Sequence, residues 1–190
     1  MNILSTIKKY KNLVTSKYIF ISSDEIDVIT KGEYWLSKKF DGQLWFYYKQ
    51  NKISKIINSN QKDISNNVKE IKKDLDKKLS KFKNIILAGE LYFLTNERER
   101  CGDTLSGLAD SKKTKKLRLG IFDLVYSDNV STNFEDKYKF LKKNLGEKDN
   151  DFSHVIEHKK VKSNEIIKSF KNLVENKNAE GLIIKNETNI

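Results

Sequence analysis

The stretch LSKKFDGQLWFYY, residues 36–48, constrains this chain more than any other. Short runs of aromatic and β-branched residues with two-residue alternation read as strands. Two such runs, EYWLSKKF and QLWFYYK, flank the pair Asp41-Gly42. Asp-Gly favours a turn, because glycine tolerates positive φ. The two strands are therefore expected to join at Asp41-Gly42, with Lys38 and Lys39 at the end of the first. Taken alone, KFDG is a surface lysine pair before a turn, or a lysine nucleophile presented by that turn. Strand alternation sends the two lysines to opposite faces.

The rest of the chain reads as helices and strands in mixed order. Ile3, Ile7, Tyr10, Leu13 and Val14 recur at near-helical spacing. YIFIS and EIDVIT read as short strands or loops. KISKIINS alternates, and Gln50-Asn51 before it marks a hairpin. Residues 65–81 give the clearest helix, with Val68, Ile71, Leu75 and Leu79 on one face and Ser65 or a neighbouring Asn as its cap. NIILAGELYFL and LRLGIFDLVY are buried strands, separated by a polar loop with a short helical piece. Phe134, Tyr138, Leu141 and Leu145 mark a third helix. Ile166, Ile167, Phe170, Leu173 and Val174 mark a fourth. SHVIEH is a strand, and EGLIIKN is the closing one. No internal repeat or proline-rich linker divides the chain. One α+β domain over residues 1–190, built on antiparallel sheets flanked by helices, is expected.

Composition narrows the partners. The formal net charge is +11, which favours polyanions. Only Arg98, Arg100 and Arg118 are arginine, so lysine supplies nearly all of the 37 basic residues. With abundant Asn and Ile and no proline, that pattern follows an AT-rich coding bias, and part of the charge is compositional. The lysines 72, 73, 77 and 78 read as the solvated face of a helix rather than as phosphate contacts. One cysteine, Cys101, excludes an internal disulfide. His154 and His158 stand four apart, a metal spacing on a helix, but their alternating context makes them surface or edge residues of a strand. No apolar run approaches the roughly 20 residues of a membrane span. The basic start MNILSTIKKYKNLVTSK lacks the apolar core of a secretory signal, and a mitochondrial presequence would favour arginine. The expected location is the cytoplasm (a nucleoid or viral factory, or the nucleus in a eukaryote).

Several strands carry ionisable residues where apolar ones would be cheaper: Lys39 in KFDG, Glu90 in GEL, Asp123 in FDLV, and Glu180 and Lys185 in EGLIIK. A charge in a half-buried strand costs several kcal/mol unless paired. Grouping these five in one pocket would let them offset each other's burial.

In this order and spacing the four segments resemble the nucleotidyltransferase domain of ATP-dependent polynucleotide ligases, relatives of the mRNA capping guanylyltransferases. Lys39–Gly42 is similar to the family's Lys-x-Asp-Gly nucleophile motif. Gly89-Glu90-Leu91, IFDLVY at 121–126 and EGLIIK at 180–185 look like the motifs that follow it. The resemblance spans roughly residues 30–187. It implies an ATP-grasp-like adenylation domain that uses ATP and Mg2+ to seal nicked DNA or another nucleic acid, in DNA repair or replication. By resemblance Lys39 is the nucleophile that forms a lysyl-AMP, and its amine must be unprotonated to attack. Lys38, Asp41, Gly42, Glu90, Phe122 and Lys185 are then nucleotide-binding, with Glu90 on the ribose and Phe122 stacked on adenine. Glu180 is the metal ligand.

The match has departures. Leu44 stands where the family often has arginine. Ser37 stands where DNA ligases commonly carry a glutamate that reads the adenine amino group. Ser59-Asn60 lacks the arginine of the usual Ser-Arg pair. The family's fifth motif and its C-terminal OB-fold have no counterpart, so a missing domain or partner chain is expected to complete the site. Four readings remain: a DNA or RNA ligase adenylation domain, a GTP-using capping enzyme, a non-catalytic nucleotide- or nucleic-acid-binding remnant of the same fold, and a plain structural α+β domain.

Overall fold

The computed structural model describes residues 2–15, 19–29, 31–128, 133–148, 151–176 and 179–186. Helix α1 (Ile3–Leu13) starts where the Asn2 side chain accepts the Ser5 N–H, satisfying one of the donors a helix start leaves open. A 3-10 turn at Ser23–Val28 follows where a short strand or loop is expected. Of YIFIS, residues 19–22 form no strand, and Tyr18 lies outside the described residues.

Strands β1 (Glu33–Lys39), β2 (Gln43–Gln50) and β3 (Ile53–Ile57) come next. Strands β2 and β3 form the expected hairpin, whose two-residue loop has Asn51 at φ 56°. Strands β1 and β2 do not pair, contrary to the simplest reading of Asp41-Gly42. They belong to different sheets, so Asp41-Gly42 is a crossover. Helix α2 (Lys69–Lys78) buries Ile71 and Leu75. Ser65 does not cap it. Its hydroxyl accepts the Ile56 N–H at 2.9 Å and ties the approach to β3 instead.

Strand β4 (Asn84–Phe93), helix α3 (Cys101–Ala109), strand β5 (Leu117–Ser127) and helix α4 (Phe134–Leu145) follow. Asn133 caps α4 through the Asp136 N–H at 2.8 Å, and Gly146 ends it at φ 77°. Strand β6 (Ser153–Val155) takes only the first half of SHVIEH, and β7 (Lys159–Lys162) comes after it. Helix α5 (Ile166–Phe170) runs on as a wider π-type turn over Lys171–Asn176. Strand β8 (Gly181–Lys185) completes the described order.

These strands make two sheets, β3-β2-β4-β5-β6 and β7-β1-β8. Every pairing is antiparallel except β5 with β6, which is parallel. Strand alternation gives the larger sheet two apolar faces. Trp45, Tyr47, Leu87 and Leu91 join Leu75, Leu141 and their neighbours under α2 and α4. Phe46, Ile86 and Ala88 pack against Ile7 and Tyr10 of α1. The smaller sheet packs Tyr34 and Leu36 against Val161 and Ile166. This is the expected α+β architecture. No helix among the described residues is long and apolar enough to cross a membrane.

Candidate functional site

Where the two sheets meet, a cleft of about 220 Å³ opens. Ser37, Lys39, Ile183 and Lys185 line one wall, the residues that two-residue alternation puts on one face of β1 and β8. Leu44, Glu90 and Phe122 of the larger sheet line the other.

Lys39 is the last residue of β1 and stands opposite Gly181 of β8. Its ammonium donates to Glu180 at 2.5 Å. Immediately after it the chain crosses to the larger sheet, and Gly42 is required there by space. A Cβ on Gly42 would lie 2.3 Å from the Leu91 carbonyl oxygen and 3.0 Å from Glu90 Cγ. Positive φ is not the reason, since Gly146 is the one described glycine in that region. The close approach brings the Gly42 N–H to the Glu90 carboxyl. Burial pushes the Glu90 carboxyl up to about 7. The Lys39 ammonium and the Gly42 N–H oppose that rise, while Glu180 and Asp41 add to it. Lys39, Asp41, Gly42, Glu90 and Glu180 thus share one electrostatic neighbourhood.

Phe122 reaches the cleft through a β-bulge. Ala88 pairs with Asp123 and Gly89 with Ile121, which leaves Phe122 as the extra residue of β5. A bulge re-aims a side chain and frees its backbone groups from the ladder. The freed Phe122 carbonyl accepts from the Lys185 ammonium at 3.3 Å. Lys185 is only 9 % exposed and lies 4.5 Å from the centre of the Phe134 ring. Burial lowers its ammonium to about 8, against the opposing field of Asp123.

Two expectations need correction. Asp123 does not line the cleft with Lys39, Glu90 and Lys185. It is 2 % exposed, and its carboxylate accepts from Tyr10 at 2.7 Å and lies 3.5 Å from the Lys137 ammonium. Phe122 lines the cleft, while Asp123 beside it is buried in the protein. Lys38 is not directed away from the cleft either. Its ammonium lies 4.5 Å from the centre of the cleft-lining Phe40 ring and meets Glu99 at 2.6 Å. Tyr10 and Glu99 carried no local signal, since 113 and 61 residues separate them from their partners.

The histidines are buried rather than at the surface. His154 Nε2 meets the Tyr92 hydroxyl at 3.3 Å, and His158 Nδ1 meets the Ile156 carbonyl at 2.8 Å. Burial drives His158 down to about 3, so it is neutral at ordinary pH. Among the described residues no group of three or more His, Cys, Asp or Glu forms a metal cluster. Lys73 and Lys77 are exposed, as the solvated-face reading expects, whereas Lys78 is half-buried and donates to the Ser153 carbonyl at 2.6 Å.

Two of the three departures from the family motifs sit on the cleft itself, with Ser37 and Leu44 both lining it. A sequence comparison with curated proteins gives no match. Solved structures do share the fold. A mycobacterial DNA ligase D, solved with ATP and MES, superposes with a TM-score of 0.62 at 16% identity over 82% of this chain and 48% of its own. A Lig E DNA ligase gives 0.56 at 17% identity, covering 85% of this chain and 58% of its own. An archaeal ATP-dependent RNA ligase gives 0.58 at 10% identity, covering 86% and 42%. The chain therefore spans about half the length of these ligases. The family model for the ATP-dependent DNA ligase domain matches residues 17–190, nearly the whole sequence, and the chain belongs to that family.

Proposed function

We propose that the cleft is the adenylation site of a polynucleotide ligase, with DNA as the favoured substrate and RNA as the second. One observation carries this reading. Lys39 stands at the cleft between Glu180 and Glu90, facing an apolar wall where a bulge presents Phe122. A flat ring suits a purine face, and an amine beside carboxylates suits a phosphate that arrives with a cation.

In the reaction the Lys39 ammonium loses a proton to solvent, and the freed lone pair of the amine attacks the α-phosphorus of ATP. A nitrogen–phosphorus bond forms as the bond to the bridging oxygen breaks, and pyrophosphate leaves with that electron pair. The AMP then passes to the 5′-phosphate of a nick, from which the 3′-hydroxyl displaces it. Glu90, kept dry and close to Gly42, is placed to accept a ribose hydroxyl. Lys185 fixes the peptide that carries Phe122 rather than reaching freely into solvent.

Carboxylate oxygens of Glu180, with Glu90 and Asp41 nearby, fit Mg2+, which takes oxygen ligands and shares them with phosphate and water. Mg2+ would neutralise charge at the reacting phosphate. Burial raises the Glu90 carboxyl to about 7, with the charges of Glu180 and Asp41 adding to the rise, and a cation there would oppose it.

A second reading is a binding module without turnover. Leu44, an apolar residue on the cleft wall where the family often has arginine, favours it. Intact-mass spectrometry separates the two. After incubation with ATP and Mg2+, the ligase reading expects a mass gain of one AMP, absent with Lys39→Ala and absent with GTP. A folded chain that binds ATP with no adduct would support the module instead.

A further inference from the structure

Helix α1 lies before residue 17, where the match to the ligase-domain family begins. It nevertheless packs behind the cleft wall. Ile7 and Tyr10 pack on Phe46, Ile86 and Ala88, with Phe122 at the rim of that cluster. The Tyr10 ring meets Phe46 edge-on at 6.0 Å. Packing alone would be served by phenylalanine. The Tyr10 hydroxyl does more, donating to Asp123 Oδ2 at 2.7 Å in a buried setting.

A carboxylate as buried as Asp123 has to be satisfied by the protein. Its partners come from three other elements. Tyr10 arrives from α1, and Lys137 of α4 lies 3.5 Å from Oδ1. Lys185 of β8 feels the Asp123 charge as the favourable part of its surroundings. Lys185 then donates to the Phe122 carbonyl at 3.3 Å. Phe122 is thus held from two sides. Asp123 follows it in the chain and is anchored to α1, while Lys185 grips its bulged peptide. Oδ1 has no hydrogen bond within the described structure, so the Tyr10 bond is the short, well-directed contact of this carboxylate.

We propose that Tyr10 is a positioning residue for the base-binding wall, acting through Asp123 and Lys185 on the bulged Phe122. Helix α1 is then a working part of the site. The ligand named here, a purine nucleotide, rests on the function proposed above; the coupling from Tyr10 to Phe122 does not.

The test is Tyr10→Phe in the full chain, which keeps the ring and deletes the hydroxyl. Hydrogen–deuterium exchange without nucleotide should quicken in residues 119–125 and 181–185, with α1 and α2 unchanged. In adduct formation, half-saturating ATP should rise about tenfold, the scale of losing a hydrogen bond to a charged acceptor. The maximal rate should stay within about twofold, since ground-state placement and not the nucleophile is disturbed. Exchange that quickens only in α1, or uniformly, would make Tyr10 a packing residue and overturn the proposal. Unchanged half-saturating ATP in an adduct-forming protein would overturn it as well. If the wild type forms no adduct while the local exchange change is seen, the coupling stands and the ligase reading falls.

Discussion

Strand β4 buries seven of its ten residues, whereas β8 fully buries only Lys185 among its five. The two strands face each other's sheets across the cleft, yet they are made for different ends. The larger sheet is packed on both faces, and its buried aliphatic residues hold the fold. The smaller sheet spends its inward face on Ser37, Lys39 and Lys185, which contribute little hydrophobic burial and much chemistry. Hydrophobic burial is therefore concentrated in the larger sheet, while both sheets give residues to the cleft, and the uneven burial can be tested.

The largest effect should come from the core of the larger sheet. Leu87→Ala should destabilise by about 2–5 kcal/mol, through lost transfer energy and the cavity left behind. Ile183→Ala, on the half-buried cleft wall, should cost about 1 kcal/mol. Urea denaturation measures both, and equal costs would break the comparison. At the crossover between the sheets, Gly42→Ala should cost about 2–3 kcal/mol, because the new Cβ meets backbone that cannot yield cheaply. That variant should also lose nucleotide labelling, as Lys39 is carried on the displaced segment.

Glu90 sharpens the comparison from the other side. Its folded pKa of about 7 lies above the ordinary 4.5, so the folded state holds this proton more tightly than the unfolded state. The stability it contributes is full below pH 4.5 and is lost as pH rises through about 7. Glu90→Gln should therefore be more stable than wild type at pH 8, by about 1–3 kcal/mol, with the gain fading toward pH 4.5. Denaturation at the two pH values reads this directly. The smallest effect belongs to Glu99→Ala. It removes the partly exposed pair with Lys38 and should cost about 1 kcal/mol or less in the same assay.

Much of the larger sheet was legible in the sequence. Strands β4 and β5 are long apolar runs because both faces are covered, and α4 shows its buried stripe at Phe134, Tyr138, Leu141 and Leu145. The crossover was not, because Asp-Gly reads alike in a hairpin and in a change of sheet. The parallel β6 and the burial of His154 and His158 were not legible either, since three residues of strand carry too little pattern to reveal a partner. At the site, Lys39, Glu90, Phe122, Glu180 and Lys185 stood out as charges or an aromatic ring in motif order, and the fold brings them together. Asp123 looked the same in the sequence. Only its partners Tyr10 and Lys137, from α1 and α4, show that it is turned inward. Tyr10 and Glu99 act across long separations and could be found only in three dimensions.

The most direct test of the central claim is to digest the ATP-treated protein and map the AMP by tandem mass spectrometry. Lys38 and Lys39 are adjacent, equally basic in the sequence, and both border the cleft. The account predicts AMP on Lys39 alone, because Lys39 faces Glu180 and Glu90 while Lys38 is bound to Glu99. AMP on Lys38, or on a lysine outside the cleft, would contradict it.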